Sequence, residues 1–224
     1  MPYALIFDVD GVIADTEPLS TRASSRAFYD LHGVTVKEKD HLAYMGTTAI
    51  KHAEGIAAQY GLAIDTGELV AAHRDNFLQE LEGAGDLVFP GVLEIFAAIA
   101  KYSEWHIALA TSSGRERSEA IIRAAGIDEA CLSAWITGDD VRNPKPDPEI
   151  YRAVASELGL FPRQCVVIED SVAGTEAAKA ASMHCIAVTN TFPGEHLRQA
   201  DRIVDSLEEV TVTMLYDLVA DPSS

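Results

Sequence analysis

The sequence predicts an α/β fold: a parallel sheet covered by helices on both faces, with an all-helical piece inserted after the first strand. Three observations predict it. Short continuous apolar runs recur along the chain with amphipathic stretches between them. Residues 16–88 carry helical periodicity and no strand-like run. Carboxylates, hydroxyls and one lysine follow the ends of separate apolar runs. A hairpin-rich fold would alternate polar and apolar residues instead, even though Asp10-Gly11 between apolar neighbours is by itself a turn signal.

Taken in order, strands are expected at residues 4–7, 107–110, 134–136, 166–168 and 186–188. Between them, "GRERSEAIIRAAG" and "DPEIYRAVASELG" read as helices closed by glycine. The segments "EPLSTRASSRAFYDLHG", "AIKHAEGIAAQYG" and "TGELVAAHRDNFLQELEG" make the insertion helical, and "GAGDLVFPGV" reads as a flexible exit from it. The expected layout is a Rossmann-like core of residues 1–15 and 89–224 with a helical cap of residues 16–88. Hinges are expected near residues 12–16 and 85–91, so that the cap opens and closes.

A chain of 224 residues suits one sizeable core plus an appended piece. Its net charge of −18 repels nucleic acid and anionic lipid, so neither is expected as a partner. A phosphorylated substrate would need cations supplied locally. No apolar run approaches the roughly 18 residues that span a bilayer, and no secretory signal is visible. Three widely spaced cysteines, Cys131, Cys165 and Cys185, fit a reducing, cytoplasmic setting. A monomer is the default.

In an open parallel sheet, ligands sit beyond the C-terminal ends of the strands. The residues expected there are Asp8 and Asp10, then Thr111, Ser112 and Ser113, then Lys145 between Pro144 and Pro146, then Glu169 and Asp170. Asp8, Glu169 and Asp170 are hard oxygen ligands suited to Mg²⁺, and no His/Cys cluster has the spacing zinc requires. A carboxylate attacks phosphorus only when charge repulsion is relieved, which Mg²⁺ and Lys145 would do. Asp10, two residues on, is placed to protonate the leaving oxygen and then to deprotonate water. Thr111 and backbone N–H groups of a helix beginning near Ser112 would bind phosphoryl oxygens. The prolines restrict the backbone at Lys145, and Asp147 with Pro148 is expected to start the next helix.

These motifs resemble the haloacid dehalogenase superfamily. "DVDGVIADTEPL" is similar to its first motif, "ATSS" at residues 110–113 to its second, "NPKPDPEIY" to its third and "VVIEDSVAGTEAAKAA" to its fourth, in the right order. The insertion resembles the cap of the subgroup that holds β-phosphoglucomutase and small-metabolite phosphatases. The resemblance implies Asp8 as nucleophile, Asp10 as general acid/base, and Thr111 and Lys145 as phosphoryl binders. It also implies Mg²⁺ held by Asp8, the Asp10 carbonyl, Glu169 and Asp170. Gly174 matches a small residue that lets the last helix lie close to the sheet, whereas Ser182 stands where the family usually has Gly.

Mutase members carry a His where this chain has Ser20, and a phosphate-holding Arg in the loop where "YMGTTA" offers Ala49. Both departures favour hydrolysis. The expected function is therefore an Mg²⁺-dependent phosphatase acting on a small phosphorylated metabolite, a sugar phosphate by default, through an aspartyl-phosphate on Asp8. Lys51, Arg74 and Arg115 are candidate substrate contacts alongside Thr111, Ser112 and Lys145. The alternatives are a phosphosugar mutase, or a retired enzyme that binds metal and phosphate. A dehalogenase would need neither Asp10 nor the metal acids, and a phospho-accepting signalling domain would carry its acceptor on a middle strand.

Overall fold

A computed structural model describes residues 1–44 and 48–220. The chain divides into two compact units, Met1–Asp15 with Val88–Ser224, and Thr16–Leu87. The first unit holds a six-stranded sheet of β1 (Tyr3–Phe7), β2 (Trp105–Ala110), β3 (Leu132–Ile136), β4 (Cys165–Glu169), β5 (His184–Val188) and β6 (Arg202–Val204). Its order is β3-β2-β1-β4-β5-β6, with every pair parallel. Residues 4–7 of β1 are fully buried because helices cover both faces of the sheet, which is why they read as an unbroken apolar run.

The expected strands are all present, each extended by one or two residues at its N-terminal end. β6 is an addition that the sequence pattern did not reveal. It has three residues, of which Arg202 and Ile203 are exposed, so it lacks the apolar run that marks a buried strand. The chain steps outward from β1 through β2 to β3, then returns to the other side of β1 for β4, β5 and β6. That reversal leaves a crevice beyond the C-terminal ends of the central strands. Register fixes what lines it: Phe7 pairs with Leu109 on one side and Ile168 on the other.

The helical unit comprises α1 (Glu17–His32), α2 (Glu38–His41), α3 (Ala49–Tyr60) and α4 (Thr66–Glu82). Gly33 closes α1 in the left-handed conformation, while Thr48 and Asp65 cap α3 and α4 through their side-chain oxygens. Ala27, Phe28, Val36, Ala53, Ile56, Ala57 and Leu69 form its core. Residues 45–47 of the loop noted for its lack of a phosphate-holding Arg lie outside the described residues.

Helices α5 (Val92–Ile99), α6 (Arg115–Ala124), α7 (Glu149–Leu158), α8 (Val172–Ala180) and α9 (Val212–Ala220) complete the first unit. Ala4 and Ile6 share a core with Tyr151 and Val154 of α7 and Ala177 of α8. Phe7 turns to the opposite face, where its ring lies 4.7 Å from that of Phe96 on α5. Burying each such Leu, Ile or Phe side chain stabilises the unit by about 1.5–3 kcal/mol. Two helix starts differ from expectation. The helix after β2 begins at Arg115, capped by Gly114, instead of near Ser112. The helix after the lysine loop begins at Glu149 with Pro148 as its N-cap, and Asp147 Oδ1 accepts the Glu149 N–H at 2.9 Å. The exit near residue 88 is tied down: Ala14 bridges to Val88, and the Phe89 N–H reaches the Ile13 carbonyl at 3.0 Å.

Among the described residues, no helix is long and apolar enough to cross a membrane.

Candidate active site

Asp8 follows β1 directly, and its N–H donates to the Ile168 carbonyl on β4 at 3.0 Å, so the sheet ladder itself fixes its backbone. Its Oδ1 accepts from Lys145 Nζ at 2.6 Å. The same ammonium donates to Glu169 Oε1 at 2.6 Å and to the Ala110 carbonyl at 3.2 Å, which employs all three of its protons. The Lys145 side chain is only 6% exposed. Burial works to strip its proton, but the facing charges of Asp8 and Glu169 prevail and push its pKa above the usual lysine value.

Glu169, expected as a metal ligand, is surrounded by hydrogen-bond donors. Oε1 accepts from Lys145 and from the Tyr151 hydroxyl at 2.7 Å. Oε2 accepts the N–H groups of Asp170 and Ser171 and the Ser171 hydroxyl, at 3.0, 3.0 and 2.9 Å. A carboxylate offers about four lone-pair sites, and these donors occupy them. Burial alone would raise its pKa, but Lys145 lowers it, so Glu169 is held ionised as the anchor of the lysine. Gly174 on α8 makes room for it: a Cβ there would overlap the Glu169 carboxylate.

Asp170 is buried and accepts from Thr191 Oγ1. Burial, followed by the charges of Glu169 and Asp8, pushes its pKa well above the carboxylate range. Burial likewise raises Asp8 from 3.8 to about 7, against the pull of Lys145. Three carboxylates therefore face one ammonium, an excess of two negative charges if all ionise. A divalent cation with a preference for oxygen supplies the missing charge. Asp8 Oδ2 and Asp170 Oδ1 have no hydrogen-bond donor among the described residues, so the donor set fits such an ion. By themselves, no three His, Cys, Asp or Glu side chains among the described residues are arranged as a metal cage. A backbone carbonyl and substrate oxygens would have to complete the shell, as is usual for Mg²⁺.

Val9 bends the chain after Asp8, and Gly11 turns it at φ +79°. A Cβ at Gly11 would run into the carboxylate of Asp170 and the hydroxyl of Thr191, so the close approach of this loop to Asp170 requires glycine. Asn190 Nδ2 fastens the loop by donating to the Gly11 carbonyl at 2.8 Å. Asp10 then meets the loop after β2: Ser113 Oγ donates to its Oδ2 at 2.7 Å, and Arg117 Nη2 to its Oδ1 at 2.8 Å.

The other expected residues divide. Thr111 is buried at the end of β2, and its Oγ1 accepts the Ser113 N–H at 3.1 Å. Ser112 is exposed, and it is Ser113 that reaches Asp10. Arg115, expected to contact substrate, is engaged elsewhere. It donates to the Trp135 carbonyl at 2.7 Å and to Asp140 at 3.0 Å, and lies over the Trp135 ring. In the helical unit, Arg74 pairs with its neighbour Asp75 at 2.7 Å, and Lys51 is exposed on α3. Ser20, where mutases carry His, lies 3.2 Å from His73 Nε2.

Sequence reasoning missed Ser113's role, Arg117, Tyr151, Asn190 and Thr191. The strand-end rule reaches Asn190 and Thr191, which follow β5. Arg117 and Tyr151 sit within helices and offer no such signal.

The doubly wound sheet thus brings together an Asp at the first strand end, a lysine clamp and an acidic pair at a neighbouring strand end. A model of the haloacid dehalogenase-like hydrolase family matches residues 5–188, and the chain belongs to that family. Its class is that of phosphoric monoester hydrolases. It is 35% identical over 227 residues to the phosphorylated carbohydrates phosphatase of Thermotoga maritima, covering 96% of this chain and 99% of that protein. It is 36% identical over 202 residues to SUPPRESSOR OF QUENCHING 1 of Arabidopsis thaliana, covering 88% of this chain; it spans 19% of that protein's length. The fold superposes on CbbY from Rhodobacter sphaeroides in complex with xylulose-(1,5)bisphosphate with TM-score 0.86 and 28% identity, over 96% and 99% of the chains. β-Phosphoglucomutase from Clostridium difficile shares the fold, with TM-score 0.84, 22% identity and 98% coverage of each chain.

Proposed function

We propose that this protein hydrolyses a small phosphorylated metabolite, a sugar phosphate in the first instance, through an aspartyl-phosphate on Asp8. The observation that carries the reading is Lys145, held at 2.6 Å from both Asp8 and Glu169 at the mouth of the sheet. An Asp8 carboxylate oxygen bonds to phosphorus as the ester P–O bond breaks, and Asp10 gives its proton to the leaving oxygen. Asp10, now a carboxylate, takes a proton from water. The water oxygen then bonds to phosphorus as the Asp8 linkage breaks, releasing inorganic phosphate.

Lys145 and the Thr111 hydroxyl neutralise and orient phosphoryl oxygens. Asp8, the Asp10 carbonyl and Asp170 would hold Mg²⁺, which when bound offsets phosphoryl charge and keeps Asp8 ionised. Glu169 acts through Lys145. The helical unit is the proposed cap that selects among substrates, with Arg74 and Lys51 as its candidate cations. The names of the phosphorylated carbohydrates phosphatase and of the CbbY complex support a carbohydrate phosphate as the substrate class.

A panel of phosphorylated sugars and polyols, assayed for phosphate release with Mg²⁺, tests the reading. One or more members are expected to turn over, with activity abolished by Asp8→Asn. Release at the native rate by Asp8→Asn, or no turnover across the panel and with p-nitrophenyl phosphate, would overturn it.

A further inference from the structure

We infer that Tyr151 is a positioning residue for this reaction: its hydroxyl and its ring together hold the Glu169–Lys145 pair that clamps Asp8. The inference rests on the phosphatase reading above and goes beyond the motif residues.

Tyr151 is fully buried on α7, six residues beyond Lys145. The lysine loop and the helix start form one pinned segment. Glu149 accepts the backbone N–H groups of Arg142 and Asn143, each at 3.0 Å, and the Asp147 N–H closes on the Pro144 carbonyl at 3.0 Å. From that segment Tyr151 makes two separate contacts with the clamp. Its hydroxyl donates to Glu169 Oε1 at 2.7 Å, beside Lys145 on the same oxygen. Its ring lies under the ammonium, with Lys145 Nζ 5.0 Å from the centroid. A ring face attracts a desolvated ammonium, and a second donor on Oε1 satisfies charge that Lys145 would otherwise have to satisfy alone.

Together these contacts decide where the ammonium sits. Without the hydroxyl, Oε1 draws Lys145 harder and the even sharing with Asp8 is lost. Without the ring, the ammonium loses the surface that carries it. Packing alone accounts for a buried aromatic at this position but not for a hydroxyl aimed at the Glu169 oxygen that already binds the lysine.

The test compares Tyr151→Phe, which keeps the ring, with Tyr151→Leu, which keeps neither contact. On the best phosphate ester, Tyr151→Phe is expected to lower kcat about tenfold with KM little changed, as expected for a lost hydrogen bond to a charged group, and Tyr151→Leu to lower it further. Independently of turnover, the metal-free protein labelled with ¹⁵N-lysine should show an ordered Lys145 ammonium signal, assigned by its absence in Lys145→Met. That signal should shift in Tyr151→Phe and vanish in Tyr151→Leu. Wild-type kcat and an unshifted ammonium signal in Tyr151→Phe would overturn the inference, whether or not Tyr151→Leu folds. If the native protein hydrolyses no phosphate ester, the phosphatase reading fails, and the ammonium signal still decides whether Tyr151 orders Lys145.

Discussion

Arg117 Nη2 and Asp10 Oδ1 are 2.8 Å apart, with the two side chains 16% and 20% exposed, and Ser113 Oγ holds the other Asp10 oxygen at 2.7 Å. An acid/base that must meet first a leaving oxygen and then a water gains from a carboxylate fixed at both ends. In the second half-reaction the guanidinium faces the carboxylate that takes the water's proton.

Arg117→Ala is therefore expected to lower kcat about tenfold, a loss of roughly 1.4 kcal/mol in transition-state stabilisation. The loss should fall mainly on hydrolysis of the phospho-enzyme. Single-turnover kinetics would then show a burst of alcohol product followed by slow phosphate release. Arg117→Lys, a point charge in place of a fork, should recover part of the rate. Equal slowing of both half-reactions would contradict the assignment.

Mg²⁺ is expected to stabilise the folded protein as well as activate it. Burial and mutual repulsion disfavour ionising Asp8 and Asp170, and a divalent cation relieves that repulsion. Chelation should abolish turnover and lower Tm, and Mg²⁺ should restore both. In Asp170→Asn the Tm response to Mg²⁺ should shrink, which differential scanning calorimetry would measure.

Ser182 has φ 61°, the one non-glycine residue with positive φ among those described. It lies in the turn after α8, where its N–H reaches the Lys179 carbonyl at 3.0 Å. A side chain in this conformation is strained, so Ser182→Gly should raise stability by about 1 kcal/mol, the glycine's greater unfolded-state freedom reducing the gain. Denaturant titration should show the shift in midpoint with activity unaltered.

In the helical unit, His41 Nδ1 and His52 Nε2 lie 2.8 Å apart, with Ser25 Oγ 2.9 Å from His41 Nε2 and the Tyr44 ring stacked on His52. Burial, then the neighbouring His41, lowers the His52 pKa from 6.5 to about 4. The unfolded chain thus takes up a proton below pH 6.5 that the folded chain refuses until about pH 4. Stability from this pair is complete above pH 6.5 and falls as the pH drops toward 4. His52→Gln should flatten the decline in Tm over that window; an unchanged slope would show that the pair does not govern it.

Much of the fold was legible because a sheet buried on both faces demands unbroken apolar runs, and five of its strands have them. β6 escaped because an edge strand of three residues with two exposed need not be apolar. The strand-end residues Asp8, Thr111, Glu169 and Asp170 were legible for the same reason: a parallel sheet brings its C-terminal ends together. What Ser112, Ser113 and Arg115 engage was not legible, because it depends on how a short loop turns. Ser113 turns inward, and Arg115 is claimed by Asp140 and the face of Trp135.

The sequence by itself determined which chemistry-bearing residues gather at one edge, because strand periodicity and parallel connection leave few other places for them. The tertiary structure alone decided how those charges are shared: Lys145 between Asp8 and Glu169, Asp10 with Arg117, Asp170 with Thr191. The physical reason is that a charge's partner depends on side-chain reach and burial in three dimensions. Residues as far apart in the chain as 8 and 145 meet only when the sheet has formed.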